Sequence, residues 1–236
     1  MSFKFEVFLN SLQVAVTYIG TTITVALVSL IIGLVLGLII ALVRFYKIPV
    51  LSQFLAASIT VLKGVPIVLI LLGTYLIFAK KFDVFASDIG WSLQFKDINP
   101  ILIAIFGLSI MAMIGLSEAF RAAISSIGKG QYDAAKSLAM NRRQIIRRIM
   151  IPQALPVALP MMSNTLISLV KASSLVSMVG VVDIFAAAKI SVQQSYRFLE
   201  AYLAVALIYW VLNTFIEQGS GMIERSLNSR FRREDA

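Results

Sequence analysis

The chain has 236 residues, of which 59% are hydrophobic and only 14% charged, with a formal net charge of +9. A soluble domain carries about 25% charged residues, so a mean hydropathy of +0.89 excludes an ordinary soluble fold, and it equally excludes a disordered chain. Histidine and cysteine are absent, which removes zinc or other metal centres built on them, cysteine nucleophiles, disulfides and any histidine-based triad.

The composition is that of an all-α, polytopic membrane protein. A helix needs about 20 apolar residues to cross the hydrocarbon core, and five stretches approach that length. The first spans 19–43 and ends at Arg44 and Lys47. Its start is soft, because Leu12 to Tyr18 is also mostly apolar. The second spans 54–79, ends at Lys80 and Lys81, and holds Lys63, Gly64 and Pro66 near its start. The third spans 100–116, the shorter and more polar fourth 155–170, and the fifth 201–216. The first is too long for a signal peptide and is followed by basic residues. Gly33 and Gly37 within it form a GxxxG pattern that permits close helix packing, as any small residues do. No segment is repeated, which disfavours an inverted-repeat carrier within one chain.

Five spans put the termini on opposite sides of the membrane. Basic residues accumulate on cytoplasmic loops, which accounts for the positive charge without nucleic-acid binding. One set of loops holds Arg44, Lys47, Arg121, Lys129, Lys136, Arg142, Arg143, Arg147, Arg148, Arg225, Arg230, Arg232 and Arg233. The other holds Lys4, Lys80, Lys81, Lys96, Lys171, Lys189 and Arg197, and Lys63 is counted on neither side. The imbalance places the N-terminus outside and the C-terminus in the cytoplasm.

The loop 117–156 is the most informative segment. Gly128 and Gly130 break the helix continuing from the third span. Gln131 to Met140 reads as a short helix with Asp133 in its first turn, where a negative charge suits the helix dipole. Ala134, Ala135 and Ala139 are small enough for another surface to approach closely. Asn141 and Gln144 form a capping box for the next helix. That helix alternates Arg142, Arg143, Arg147 and Arg148 with Ile145, Ile146 and Ile149, as suits a membrane surface. Pro152 is expected to end it.

Asp133-Ala134-Ala135, Ala139 and Ile149-Met150-Ile151-Pro152 resemble the cytoplasmic "EAA" loop of permease subunits in bacterial ATP-binding-cassette importers. The family pattern is Glu-Ala-Ala, three residues, Gly, nine residues, then Ile-x-Leu-Pro. The spacing matches, with Asp for Glu, Ala for Gly and Ile for Leu. The missing Gly implies a less sharp turn after the short helix. Gly64-Val65-Pro66, Ser117-Glu118-Ala119-Phe120-Arg121, Pro152-Gln153-Ala154-Leu155 with Leu159-Pro160, and Ser168 to Leu175 further resemble the polar amino-acid branch.

The resemblance implies a type I importer transmembrane domain in the bacterial inner or cytoplasmic membrane. It implies that Asp133, Ala134, Ala135, Ala139 and Pro152 belong to the coupling loop of 131–152, which meets a separate ATPase. It also implies a second permease subunit, identical or different, and an extracellular substrate-binding protein. No GxxxxGK[ST] loop occurs in the chain, so ATP would be bound by the partner and the chain needs no cofactor of its own.

Ser163, Asn164, Thr165 and Ser168, followed by Lys171, cluster in the fourth span. Polar groups at membrane depth face a bundle interior or a water-filled path. As a cluster they are candidates for the translocation pathway. Glu118 and Arg121, three apart, are expected to form a structural ion pair. Asp183, after Gly180, is placed in a re-entrant segment at the outer gate. A membrane enzyme using Ser168 and Lys171 lacks a nucleophile turn, and an ATP-independent channel or carrier is opposed by the coupling-loop spacing. The expected substrate is an amino acid, with cystine or a relative favoured.

Overall fold

A computed structural model describes residues 3–234, with side chains except at Lys129 and 227–234. The side chains of Lys129, Arg230, Arg232 and Arg233, counted above, therefore lie outside the described residues. Every regular element described is a helix: α1 (Phe5–Val16), α2 (Ile19–Phe45), α3 (Leu51–Lys63), α4 (Ile67–Asp88), α5 (Pro100–Ser125), α6 (Lys129–Ser137), α7 (Arg142–Ile145), α8 (Ile151–Ala172), α9 (Ile184–Ser191) and α10 (Phe198–Glu234), with short 3₁₀ and π turns between some of them. Among the described residues, Ile19–Phe45, Pro100–Ser125, Arg142–Val179 and Phe198–Ser226 are helical stretches long and apolar enough to cross a membrane, and α3 with α4 makes a fifth if the bent pair is one span.

Between helices in lipid there is little hydrophobic driving force, so association rests on close packing of small residues and on hydrogen bonds. The pairing of α2 with α5 shows both. A Cβ added at Gly33 would lie 2.4 Å from the Ala112 Cβ, and one at Gly37 would lie 3.0 Å from the Leu116 Cβ. Ser29 donates from its hydroxyl to the Ile105 carbonyl across the same seam, at 3.2 Å. Leu71, Leu108, Leu169, Val170 and Val176 build the rest of this core. A second cluster joins α1, α9 and α10 through Ala15, Ile184, Ala188, Ala201 and Val205. The soft start of the first span is thus a separate helix, parted from α2 at Thr17 and Tyr18 and tied to α9 by a 3.2 Å bond between the Ser11 and Ser191 hydroxyls.

Two prolines act in opposite ways. The apolar stretch 54–79 is not one straight helix, because α3 and α4 meet at 109°. Pro66 disfavours helical backbone at Val65 and cannot donate a backbone hydrogen bond, so the chain breaks at Gly64 and Val65 and restarts at Ile67. Pro152 was expected to end its helix, and the structure corrects this. The helix runs on from Arg142 to Val179, through a π turn at Ile146–Met150. A π turn is wider than an α turn, which makes room for the proline ring against the preceding turn. Pro156 and Pro160 also lie inside α8.

Replacing Gly33 with Ala should wedge α2 from α5 and destabilise the protein by about 1–3 kcal/mol, the usual range for overpacking. Gly20→Ala, where a Cβ meets nothing within 4 Å, should be neutral or slightly stabilising. Thermal unfolding of the two variants in mild detergent checks this, and equal melting temperatures would contradict it.

Candidate functional site

The loop between α5 and α8 is held by local hydrogen bonds at each corner. Gly128 caps the start of α6, and Lys129–Ser137 follows. The helix begins two residues earlier than expected, so Asp133 stands in its second turn and not its first. At the far end the Ala139 amide donates to the Lys136 carbonyl at 2.9 Å, and the Met140 amide to the Ala135 carbonyl at 3.2 Å. That pair of bonds is a Schellman motif, whose C′ residue must be left-handed and is usually Gly. Here it is Ala139, with φ +54°. The turn is therefore as sharp as a glycine would make it, contrary to the expectation from the missing Gly.

Directly after the turn, the Asn141 side chain accepts from the Gln144 amide and the Gln144 side chain accepts from the Asn141 amide, both at 2.9 Å. This is the capping box read from the sequence. Two adjoining corners thus fix how the short helix passes into α7, while its first turn has no side-chain cap among the described residues.

Burial separates the small residues of the loop. Asp133, Ala134 and Ala139 are exposed, whereas Ala135 is 1% exposed and faces the chain's own interior. The expectation that both alanines meet a partner is corrected accordingly. Two residues that sequence reasoning passed over stand on the outside: Leu138, 76% exposed, and Tyr132, over whose ring the Lys136 ammonium lies at 4.8 Å. A large apolar residue at the tip of a short polar helix was the available signal.

The loop is rooted in a charge cluster at the end of the bundle. Arg121 donates to Glu118 at 2.9 Å on the same helix. Arg44, from the end of α2, pairs with the other Glu118 oxygen, and Lys63, the last residue of α3, approaches at 3.5 Å. Arg44 and Glu118 are mostly buried, and Lys63 is about half exposed. One carboxylate therefore ties three helices together. The sequence spacing revealed only the local partner.

The polar cluster of α8 divides. Ser163, Thr165 and Ser168 donate back to the carbonyls of Leu159, Met161 and Asn164 in their own helix. Thr165 faces α5, since a Cβ at Gly115 would lie 3.7 Å from its hydroxyl. Asn164 and Lys171 are exposed and, with Ser168, follow one another at helical spacing on one face. Beyond Lys171 the chain turns at Gly180 (φ +90°). Asp183 then caps α9 by accepting from the Ala186 amide at 3.0 Å. It is fully buried and also accepts from the Tyr209 hydroxyl at 2.9 Å, fastening this returning segment to α10.

Glu118→Gln should leave Arg44 without a charged partner in a mostly buried place and cost about 1–3 kcal/mol. Lys63→Gln removes a half-exposed pair and should cost at most about 1 kcal/mol. Chemical or thermal unfolding in detergent ranks the two, and a larger loss at Lys63 would refute the ordering. Ala139→Gly should remove roughly 1–2 kcal/mol of left-handed strain. The checking signal is slower hydrogen exchange at the amides of 138–140, with faster exchange for Ala139→Val.

Residues 33–229 match the family model described as the binding-protein-dependent transport system inner membrane component. The probable amino-acid ABC transporter permease protein PatM of Vibrio harveyi is 34% identical over 231 residues, covering 98% of this chain and 99% of that protein. The L-cystine transport system permease protein TcyL of Bacillus subtilis is 29% identical, covering 85% and 81%. A crystal structure of an amino acid ABC transporter with histidines superposes with a TM-score of 0.78 at 26% identity, covering 96% of this chain and 100% of that one. With the loop helix, its fixed exit turn and the four-charge root in the same fold, these likenesses identify the chain as a member of the binding-protein-dependent inner-membrane component family, among the amino-acid ABC transporter permeases.

Proposed function

We propose that the chain is a pathway-forming permease subunit of an ATP-driven amino-acid importer, set in a bacterial cytoplasmic membrane with its N-terminus outside and its C-terminus inside. The basic excess on the α5–α8 loop supports that orientation. The observation that carries the reading is α6. It is followed at once by a Schellman turn and then by the capping box of α7, and it presents Asp133, Ala134 and Leu138 outward. A helix whose exit into the next one is fixed by two adjoining corners passes a rigid-body push onward instead of absorbing it, which is what coupling to a moving ATPase requires. ATP is bound by that partner, because this chain has no phosphate-binding loop of its own.

A second permease subunit completes the pathway, and an extracellular binding protein delivers the substrate. The face of Asn164, Ser168 and Lys171 lines the route. Lys171 makes no ion pair among the described residues, so it is available to a substrate carboxylate. The substrate is an amino acid. Cystine is favoured, in keeping with the likeness to a permease named for L-cystine transport.

The test is co-purification from native membranes. Ala134→Glu and Leu138→Glu, made singly, should each abolish recovery of an ATPase with the chain and cut uptake by at least tenfold, since burying an unpaired charge in a packed interface costs several kcal/mol. Both positions are exposed, so the variants should fold like the wild type. Wild-type chain recovered without any ATPase would sink the proposal, as would ATPase binding unaffected by either substitution.

A further inference from the structure

At the loop end of the bundle, the last turns of α2 and α5 and the first turns of α8 do not close on one another. They leave an apolar groove of about 380 Å³, walled by Leu42, Phe120, Ala123, Ile146, Ala154 and Leu155. No charged residue lines it. Its outer walls are open: Leu38 and Ile151 are 42% and 52% exposed. The groove shares Phe45, Tyr46, Ile124, Ile146 and Met150 with a wider cleft of about 740 Å³ under the coupling loop. Both volumes fall in the usual ligand-pocket range of roughly 300–1,000 Å³. The wider cleft carries Arg142, with Asp133 its one carboxylate among the lining residues. Arg142 lies 4.7 Å from the centre of the Tyr46 ring, at the junction of the two spaces, and makes no ion pair among the described residues. Round the same turn, Arg143, Arg147 and Arg148 line a third cleft.

We propose that this groove holds an acyl chain of an anionic phospholipid, with the lipid phosphate at Arg142. The walls choose the occupant. Apart from the Tyr46 hydroxyl, the groove's side chains offer a peptide backbone no hydrogen-bonding partner, and its walls belong to helices long and apolar enough to stand in a bilayer. Its mouth opens onto a guanidinium held by stacking on an aromatic ring, and guanidinium is suited to bidentate contact with phosphate. Four arginines crowd the start of one membrane helix, the arrangement that attracts acidic headgroups at the cytoplasmic surface. Arg142 is the first residue after the Asn141 cap. A lipid seated there joins the coupling loop to the bilayer edge and steadies the corner where the loop enters α8.

Native mass spectrometry of the full chain tests this. Protein purified in mild detergent is exchanged into equal amounts of phosphatidylglycerol and phosphatidylcholine with identical acyl chains. The wild type should retain one phosphatidylglycerol in preference to phosphatidylcholine. Arg142→Gln should reduce that preference roughly fivefold, the effect of one basic residue near an anionic surface, and Arg142→Lys should restore most of it. Ala154→Phe, which fills the groove, should lower retention of both lipids. Equal retention of the two lipids by the wild type overturns the proposal, as does a preference untouched by Arg142→Gln or retention untouched by Ala154→Phe. The same measurement on the chain purified with its ATPase should again find the lipid. Its loss there would show that a protein partner covers the groove, and the proposal would fall. None of these readouts depends on transport or on ATPase recovery by the chain alone.

Discussion

The fold depends on how closely α2 can lie against α5. Two glycines on α2 let its backbone rest on Ala112 and Leu116, where any side chain would collide. In a bilayer, where lipid tails compete equally for apolar surface, contact at this range is what holds two helices together. Their shared direction then brings the ends of both to the same level. Arg44 thus arrives beside Glu118, although the two are 74 positions apart in the chain. The charge cluster is a product of the seam, and α3 and the loop are rooted in the charge cluster.

The loop between α5 and α8 shows the same economy at short range. Its corners need no tertiary contact to be defined, because the Schellman turn and the capping box are closed by residues within five positions of one another. The buried Ala135 packs the helix against the body, and Tyr132 and Asp133 line the cleft beneath it. The exit from α6 is therefore fixed by its own residues.

The local features were legible in the sequence. Asn141 with Gln144, and Glu118 with Arg121, are pairs at fixed helical spacing, and such spacing can be read without knowing the fold. The all-helical class and the apolar stretches were legible from hydropathy. What was not legible needed tertiary information. Nothing in the spacing names Arg44 and Lys63 as partners of Glu118, or separates Ala134 from Ala135. The prolines were ambiguous in a different sense. Pro66 breaks its helix and Pro152 does not, because the turn before Pro152 widens to a π turn, while the chain before Pro66 holds a glycine and leaves the helix altogether. The left-handed Ala139 was misjudged because propensity argues against it, and two backbone hydrogen bonds prevail over a preference of roughly 1–2 kcal/mol.

The prolines of α8 also give that helix a mechanical character. Pro152, Pro156 and Pro160 are spaced four apart, so they fall close to one side of the helix. Each lacks the amide hydrogen that would tie its turn to the one before. The rod is consequently weakened along one edge and intact along the other. A beam of that kind bends readily in one plane and resists bending in the plane at right angles. A push applied at the Arg142 end would lean the helix, with its Asn164–Lys171 face, more easily in that plane than across it, so the covalent spacing of three imino acids gives the helix a preferred direction of bending.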